Sequence, residues 1–184
     1  MTMREFDPSR LDVAAFAKDA GELSGDWPVA ELERLADSVA ADWRPDRRPA
    51  VHWLARGEQR GVPAGQRQAW LHLHADVVVA MQCQRCLLPV EVALKARRSF
   101  LFVHGEASAA ELDADSEHDV LALTRDLDLK QLVEDELLLN LPLVPRHATC
   151  PTPIEVKAAQ IDPPDDAPHP FAGLAAWRKG RSQN

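Results

Sequence analysis

The sequence is poor in aromatic residues and in cysteine. Among its 184 residues there are no tyrosines, five tryptophans, five phenylalanines and three cysteines. No apolar run approaches the roughly 20 residues that a transmembrane helix needs. The first residues, Met-Thr-Met-Arg-Glu-Phe-Asp-Pro, have no apolar stretch after their one basic residue, unlike a signal peptide. We therefore expect a soluble, cytoplasmic protein that does not bind a membrane and whose cysteines do not form structural disulfides.

An excess of positive charge is also absent. The chain has 21 Lys and Arg against 29 Asp and Glu, which gives a formal net charge of -8. A field of this sign repels phosphate groups and disfavours a broad, non-specific nucleic-acid binder. The densest basic group, Arg85, Lys95, Arg97 and Arg98, is the candidate for local contacts with nucleic acid or a partner protein. A solvated face with surface ion pairs would account for the same residues.

The spacing of apolar residues predicts an α+β fold. From about residue 49 to 103, apolar and polar residues alternate, which is typical of the strands of an antiparallel β-meander. A further strand is expected near 118–123. Amphipathic helices are predicted near 31–40 and 128–141, where apolar residues recur at helical spacing and would pack against the sheet.

Other segments are predicted to lie outside regular elements. Glycine and proline favour a long turn over 57–65. Residues 105–119 are acidic and poorly patterned, which predicts a mobile surface loop. We expect one α+β domain over 1–150, followed at 151–184 by a proline-rich linker and a short C-terminal tail helix.

The predicted helix at 128–141 has a clear start and an unusual apolar face. Asp128 as N-cap, with Gln131 three residues later, forms a capping-box pattern. Glu136 and Asn140 project into the middle of the apolar face. A desolvated carboxylate there could act as a general acid or base, or it could pair with a strand arginine or with the Asn140 amide. Pairing, with Arg97 or Arg98 as the arginine, is favoured, because no nucleophile–base pair, phosphate-binding loop or second carboxylate of suitable spacing accompanies Glu136.

Two of the three cysteines are close together in the sequence, and the third lies far downstream, close to a histidine. Cys83 and Cys86 are spaced C-x-x-C at the turn between two predicted strands, and His147 and Cys150 follow the second helix. Two short pairs of this kind can supply the four tetrahedral ligands of zinc. The same residues are also compatible with small, partly buried thiols and an ordinary surface histidine. A thiol redox site is a third interpretation, although no thioredoxin-like strand and helix follow the pair.

The chain resembles the YceD family, the large ribosomal RNA subunit accumulation proteins. The resemblance is carried by Cys-Gln-Arg-Cys-Leu at 83–87 with the following proline, by the leucine-rich 132–139, and by Leu-Pro-Leu-Val-Pro-Arg-His at 141–147 with Cys150. Pro-Phe-Ala-Gly-Leu at 170–174 is similar to the family's C-terminal signature. The resemblance implies a bacterial, cytosolic protein concerned with the synthesis, processing or stability of large-subunit (23S) ribosomal RNA, and it implies no enzyme activity.

Two classes of function follow from these observations. The first is a non-catalytic ribosome-biogenesis factor that binds ribosomal RNA or a large-subunit ribosomal protein. The second is an enzyme, either a thiol redox protein or a zinc-dependent enzyme, that uses the C-x-x-C. The sequence does not fix the oligomeric state.

Overall fold

The computed structural model describes residues 5–45, 48–61 and 67–151. The chain divides into two units, Met1–Pro151 and Thr152–Asn184. The second unit lies outside the described residues, so the linker and the tail helix expected there stay a prediction. Among the described residues, no helix has the length and apolar character needed to cross a membrane.

A five-stranded sheet with helices on its flanks forms the described body, and the predicted α+β class is confirmed. The strands are β1 (Glu22–Pro28), β2 (Ala50–Gly61), β3 (Arg67–Gln82), β4 (Pro89–Val103) and β5 (Asp119–Ala122), in the spatial order β1-β2-β3-β4-β5. The helices are α1 (Val13–Lys18), α2 (Glu33–Asp37), α3 (Glu106–Asp113) and α4 (Leu129–Leu139), and a 3-10 turn spans Val29–Glu31. The first three strand pairs are antiparallel, whereas β4 and β5 are parallel. The expected strand near 118–123 is therefore present, but it is not a continuation of the antiparallel meander.

The main core lies on one face of the sheet. Along β3, Leu71, Leu73, Ala75, Val77 and Val79 all point to this face and are buried, because side chains alternate between the two faces of a strand. Apolar residues of α1, α2 and α4 join them in one hydrophobic cluster. This burial is the main stabilising term of the fold.

The opposite face of the sheet is largely polar. A second, smaller cluster covers one end of it, where Trp70, Leu101 and Val120 pack with Ala109 of α3. Helix α3 lies in the segment predicted as a mobile loop, so that prediction is wrong. Alanine-rich stretches have high helix propensity. The buried Ala109 packs this helix on the sheet, and Asp113 Oδ1 accepts from the Val120 N–H of β5 at 2.9 Å.

Three other local predictions differ from the structure. The helix expected near 31–40 is only Glu33–Asp37, preceded by the 3-10 turn. Strand β1 was not predicted, because its Gly25 and Pro28 resemble turn residues. The predicted turn at 57–65 begins too early, since β2 continues to Gly61. Gly57 is required inside that strand, because a side chain there would meet the backbone of Phe16 in α1.

Candidate metal centre

The C-x-x-C motif lies at the tip of the predicted β3–β4 hairpin, which is confirmed. The strands pair without interruption from Gln82 opposite Pro89 down to Ala69 opposite Phe102. Within the tip, the Cys83 N–H donates to the Leu88 carbonyl at 2.9 Å, and the Leu87 N–H donates back to the Cys83 carbonyl at 2.9 Å. This tight turn directs both cysteine side chains to one side.

The segment after α4 brings the second pair of residues to the same place. Helix α4 begins at the predicted cap, where Asp128 accepts from the Gln131 N–H at 3.0 Å. Beyond the helix, prolines prevent the chain from continuing as a helix. The carbonyl of Pro145 accepts from the Gln84 N–H at 2.9 Å, which joins this segment to the hairpin tip. His147, two residues farther on, therefore lies beside the cysteines.

The four predicted ligands form one cluster. Their ligand atoms, from Cys83, Cys86, His147 and Cys150, all lie within 4.8 Å of one another. The Sγ atoms of Cys83 and Cys150 are 4.0 Å apart, and Cys86 Sγ is 3.4 Å from His147 Nδ1. A tetrahedral zinc site would require about 3.8 Å between thiolates and about 3.6 Å between a thiolate and an imidazole nitrogen. The arrangement could therefore hold a metal ion such as zinc with little movement.

A second contact orients the imidazole ring of His147. Its Nε2 lies 3.0 Å from the carbonyl oxygen of Pro89, an acceptor, so Nε2 carries the proton in the neutral ring. This leaves the lone pair of Nδ1 directed at the cluster. Histidines that bind metals usually donate their other ring N–H to a carbonyl or carboxylate in this way. Nothing in the sequence predicted this contact, because Pro89 and His147 are far apart in the chain.

The local electrostatics distinguish the two cysteines of the motif. Burial raises the pKa of the Cys83 thiol, but hydrogen bonds from the backbone N–H groups of Cys86, Arg85 and His147 and from the His147 side chain outweigh burial and lower this pKa to about 5. Burial raises the pKa of the Cys86 thiol, and the neighbouring Cys150 and Cys83 thiols raise it further. Hydrogen bonds to a thiolate favour the charged form that binds metals.

Arg85 is exposed, but its guanidinium is hydrogen-bonded to the centre. Its Nε donates to Cys150 Sγ at 3.0 Å, and its Nη2 donates to the His147 carbonyl at 2.8 Å. Three thiolates around a divalent ion carry a net negative charge, and a guanidinium at this distance compensates it. The four candidate ligands differ in exposure: Cys83 is fully buried, while Cys86, His147 and Cys150 are partly exposed.

The four basic residues predicted as one contact group do not lie together. Arg85 is at the hairpin tip. Lys95 and Arg97 point to the open face of β4, opposite Asp76 and His74 of β3 in register. Arg98 points to the other face of the sheet. Adjacent residues of a strand lie on opposite faces, and for this reason Arg97 and Arg98 are separated.

Glu136 meets one of these arginines. The Glu136 side chain is buried, with 7% of its surface exposed, and Arg98 Nε donates to its Oε2 at 3.0 Å. Asn140 is exposed, so the predicted burial of this residue is wrong. It is the C-cap of α4, where the helix ends, and its amide donates to the Glu136 backbone carbonyl at 2.8 Å.

A second buried carboxylate on α4 was missed from the sequence. Glu134 accepts from the guanidinium of Arg34 at 2.9 Å and from the Leu35 N–H at 3.1 Å. These contacts attach α4 to α2. They give Glu134 a structural role, since burial without such partners would be costly. Its position one helical turn before Leu137 and Leu138, at the edge of the apolar face, was the available signal.

Comparisons with known proteins identify the family to which this chain belongs. Residues 71–177 match the family described as Large ribosomal RNA subunit accumulation protein YceD. A protein of that name from Haemophilus influenzae is 28% identical over 172 residues, which cover 91% of this chain and 94% of the relative. No solved structure matches the chain. The matched region contains the hairpin tip, α4 and all four candidate ligands. Because the match covers more than half of the chain, the chain belongs to the YceD family.

Proposed function

We propose that this protein is a non-catalytic factor of bacterial ribosome biogenesis. It supports the synthesis, processing or stability of large-subunit (23S) ribosomal RNA by binding that RNA or a large-subunit ribosomal protein. The support for this role is membership of a family named for accumulation of the large ribosomal RNA subunit. The cytoplasm of a bacterium is the compartment that such a role requires.

We further propose that the cysteine cluster is a structural zinc site. The observation that carries this proposal is the approach of four protein ligand atoms to within 4.8 Å of one another. A zinc ion with four protein ligands has no open position for water or substrate, which is the arrangement of structural sites. Bound zinc would join the β3–β4 tip to the segment that follows α4, and Arg85 and Pro89 would supply the outer contacts.

The alternative is a thiol redox or zinc-dependent enzyme. The lowered pKa of Cys83 favours a reactive thiol in isolation. The same sulfur is fully buried, so it cannot reach a substrate disulfide without opening of the tip. Glu136, the other catalytic candidate, is engaged with Arg98 and lies away from the cysteines on the helix that packs over the core face.

The zinc site and the cellular role are tested by separate measurements, and the first of these is metal content. Elemental analysis of protein purified without chelators should find one zinc per chain, and the double variant Cys83→Ser, Cys86→Ser should have none. A variant of an exposed histidine on the open face of the sheet, His52→Ala, should keep the metal. Metal-free wild-type protein with freely titrating thiols would contradict the zinc site.

The cellular role is tested by complementation of a strain that lacks the gene. The wild-type chain should restore the ratio of 23S to 16S ribosomal RNA, and the double cysteine variant should not. Glu136→Gln should restore it fully, because the carboxylate has no catalytic duty in this proposal. A loss of function in a folded Glu136→Gln protein would favour an enzyme, and an unchanged RNA ratio in the deletion strain would contradict the role in biogenesis.

A further inference from the structure

Among the described residues, one side of β4 has no neighbouring strand along most of its length. Strand β5 pairs with β4 only from Phe100 to Val103. At the other end of β4, the His147 ring reaches the carbonyl of Pro89. Between these two contacts, residues 91–97 border a gap, which we call the β4 slot. At about 3.3 Å per residue, the slot is about 20 Å long and takes an extended segment of about six residues.

Unpaired backbone groups line the β4 slot. In an antiparallel ladder, the backbone groups of successive residues point alternately toward the paired strand and away from it. The Val103 carbonyl points away from β3, because it accepts from the Leu123 N–H at 2.7 Å. The register between β3 and β4 is uninterrupted, so the odd-numbered residues within 91–97 direct their N–H and C=O groups into the slot. In the described part of the chain, these groups meet no hydrogen-bond partner.

The slot is open to solvent. Glu91, Ala93, Lys95 and Arg97 are all exposed. Exposure of Ala93 leaves its backbone accessible, because its side chain is only a methyl group. Unpaired groups on an open sheet edge are a template for another strand, and proteins recognise extended peptides in this way. Donors and acceptors that alternate at this spacing belong to a polypeptide backbone, whereas an RNA backbone offers phosphate acceptors.

Two cations define the chemistry of the segment that fits the slot. Lys95 and Arg97 are two residues apart, so both side chains lie on the open face of the sheet. Neither takes part in an ion pair with another described residue. An extended segment has the same period of two, so acidic residues at alternate positions would face both cations. On the other face, the half-buried Val90 and Val92 favour apolar residues at the intervening positions.

A second copy of this chain does not fit the slot. A closed two-fold dimer through this edge would pair the two β4 strands antiparallel. Each β4 continues to Val103 with β5 beside its end, so it would run past Pro89 of the other copy, where His147 is in its path. The slot therefore suits a short segment that ends before both of its boundaries.

We propose that the β4 slot binds an extended segment of a partner protein, in which acidic residues alternate with apolar ones, as an added strand of the sheet. Main-chain hydrogen bonds to the odd-numbered residues hold the segment, and ion pairs with Lys95 and Arg97 select it. This inference goes beyond the proposed function and does not depend on it, because the slot is a property of the sheet edge and not of the cysteine centre.

Amide hydrogen exchange of the full chain, with and without a peptide, tests the proposal. The probe is the heptapeptide acetyl-Ser-Val-Glu-Val-Glu-Val-Ser-amide, which presents the same pattern in either direction. The N–H groups of Ala93 and Lys95 should exchange rapidly in the free protein and about tenfold or more slowly with saturating peptide. Those of Leu94 and Ala96, which point to β3, should be protected in both states.

Matched peptides separate the side-chain contacts from the main-chain pairing. A version with Lys in place of Glu should bind about tenfold or more weakly, since like charges would face each other across the pair. Two further versions carry N-methyl groups, one on the Glu nitrogens and the other on the Val nitrogens. Only alternate N–H groups of a strand point to its neighbour, so one methylated peptide should lose binding and the other should keep it.

Variants at Ala93 test the slot from the side of the protein. Ala93→Pro removes an N–H that has no partner among the described residues, so the fold should be retained while peptide binding is lost. Ala93→Ser keeps the N–H and should bind as the wild type does. Lys95→Glu combined with Arg97→Glu should reverse the preference and favour the Lys peptide, and this double variant decides the question if the proline variant is unstable.

Several results would overturn the proposal. These are no saturable binding of the Glu peptide by the wild-type chain, equal effects of the two N-methylated peptides, or an unchanged preference in the double variant. Slower exchange of Ala93 and Lys95 with a single-stranded RNA heptamer, and not with the peptide, would assign this edge to nucleic acid. None of these results contradicts the proposed function, since complementation of the deletion strain measures that function separately.

Discussion

Replacing Gly57 with alanine should destabilise the protein strongly, because this glycine lets α1 approach the sheet. Gly57 is in the middle of β2, where glycine is otherwise unfavourable. A Cβ atom there would lie 2.6 Å from the Phe16 carbonyl oxygen, 2.7 Å from its carbon and 2.9 Å from Ala17 Cα. All three are backbone atoms, so no side-chain rotation can relieve the contact.

The size of the effect follows from what must move. Helix α1 would have to shift away from the sheet by more than half an ångström, and its buried Val13, Phe16 and Ala17 would lose close packing. Overpacking a core typically costs 1–3 kcal/mol, and a rigid backbone contact belongs at the upper end, about 3 kcal/mol. For a body of this size, this cost corresponds to a decrease in Tm of about 6–12 °C.

Gly61→Ala is the matched control in the same strand. A Cβ atom at Gly61 would meet nothing within 4 Å, so its free energy of unfolding should change by less than about 0.5 kcal/mol. Urea unfolding followed by tryptophan fluorescence, with equal m-values required for all three proteins, measures the difference. Equal midpoints for the two alanine variants would refute the close packing of α1 on β2.

Three further predictions concern the charged and polar contacts. Arg98→Met should lower the free energy of unfolding by about 2 kcal/mol in urea titrations. This is less than the roughly 3–5 kcal/mol lost when a fully buried ion pair is broken, because Arg98 is 46% exposed. The control Lys95→Met should leave the free energy of unfolding unchanged. Asp128→Ala should cost about 1 kcal/mol in the same assay through loss of the N-cap of α4, and an unchanged midpoint would show that this cap adds nothing. Arg85→Gln should weaken zinc binding about 10–100-fold in competition with a chromophoric chelator, as losses of outer contacts to metal ligands do, and equal affinity would remove Arg85 from the centre.

The local pattern of the sequence was sufficient to predict the strands and the helix that bury one regular face. Alternation of apolar residues predicted β3 and β4, and the turn between them carried the C-x-x-C to a hairpin tip. The capping box and helical spacing predicted α4. These predictions succeed because side-chain period and local capping are properties of neighbouring residues.

The elements that depend on distant packing were mispredicted. Gly57 looked like a turn residue because the sequence does not show that Phe16 lies against it. Helix α3 looked like a loop because it buries only one of its residues, Ala109, and because its hydrogen bond from the Val120 N–H to Asp113 depends on the sheet. The burial of Asn140 was inferred from a continuing helix, but the helix ends there. The separation of Arg97 from Arg98, by contrast, was available from strand alternation alone.

The sequence by itself determined which residues could bind a metal and on which local structures they lie. Only the tertiary structure decided that they meet, because Cys86 and His147 are 61 residues apart and the sheet, α4 and the extended segment after it must all form before the distance closes. It also decided the orientation of His147 toward Pro89 and the turning of Arg85 into the centre. Such contacts depend on long-range geometry, which residue spacing does not encode.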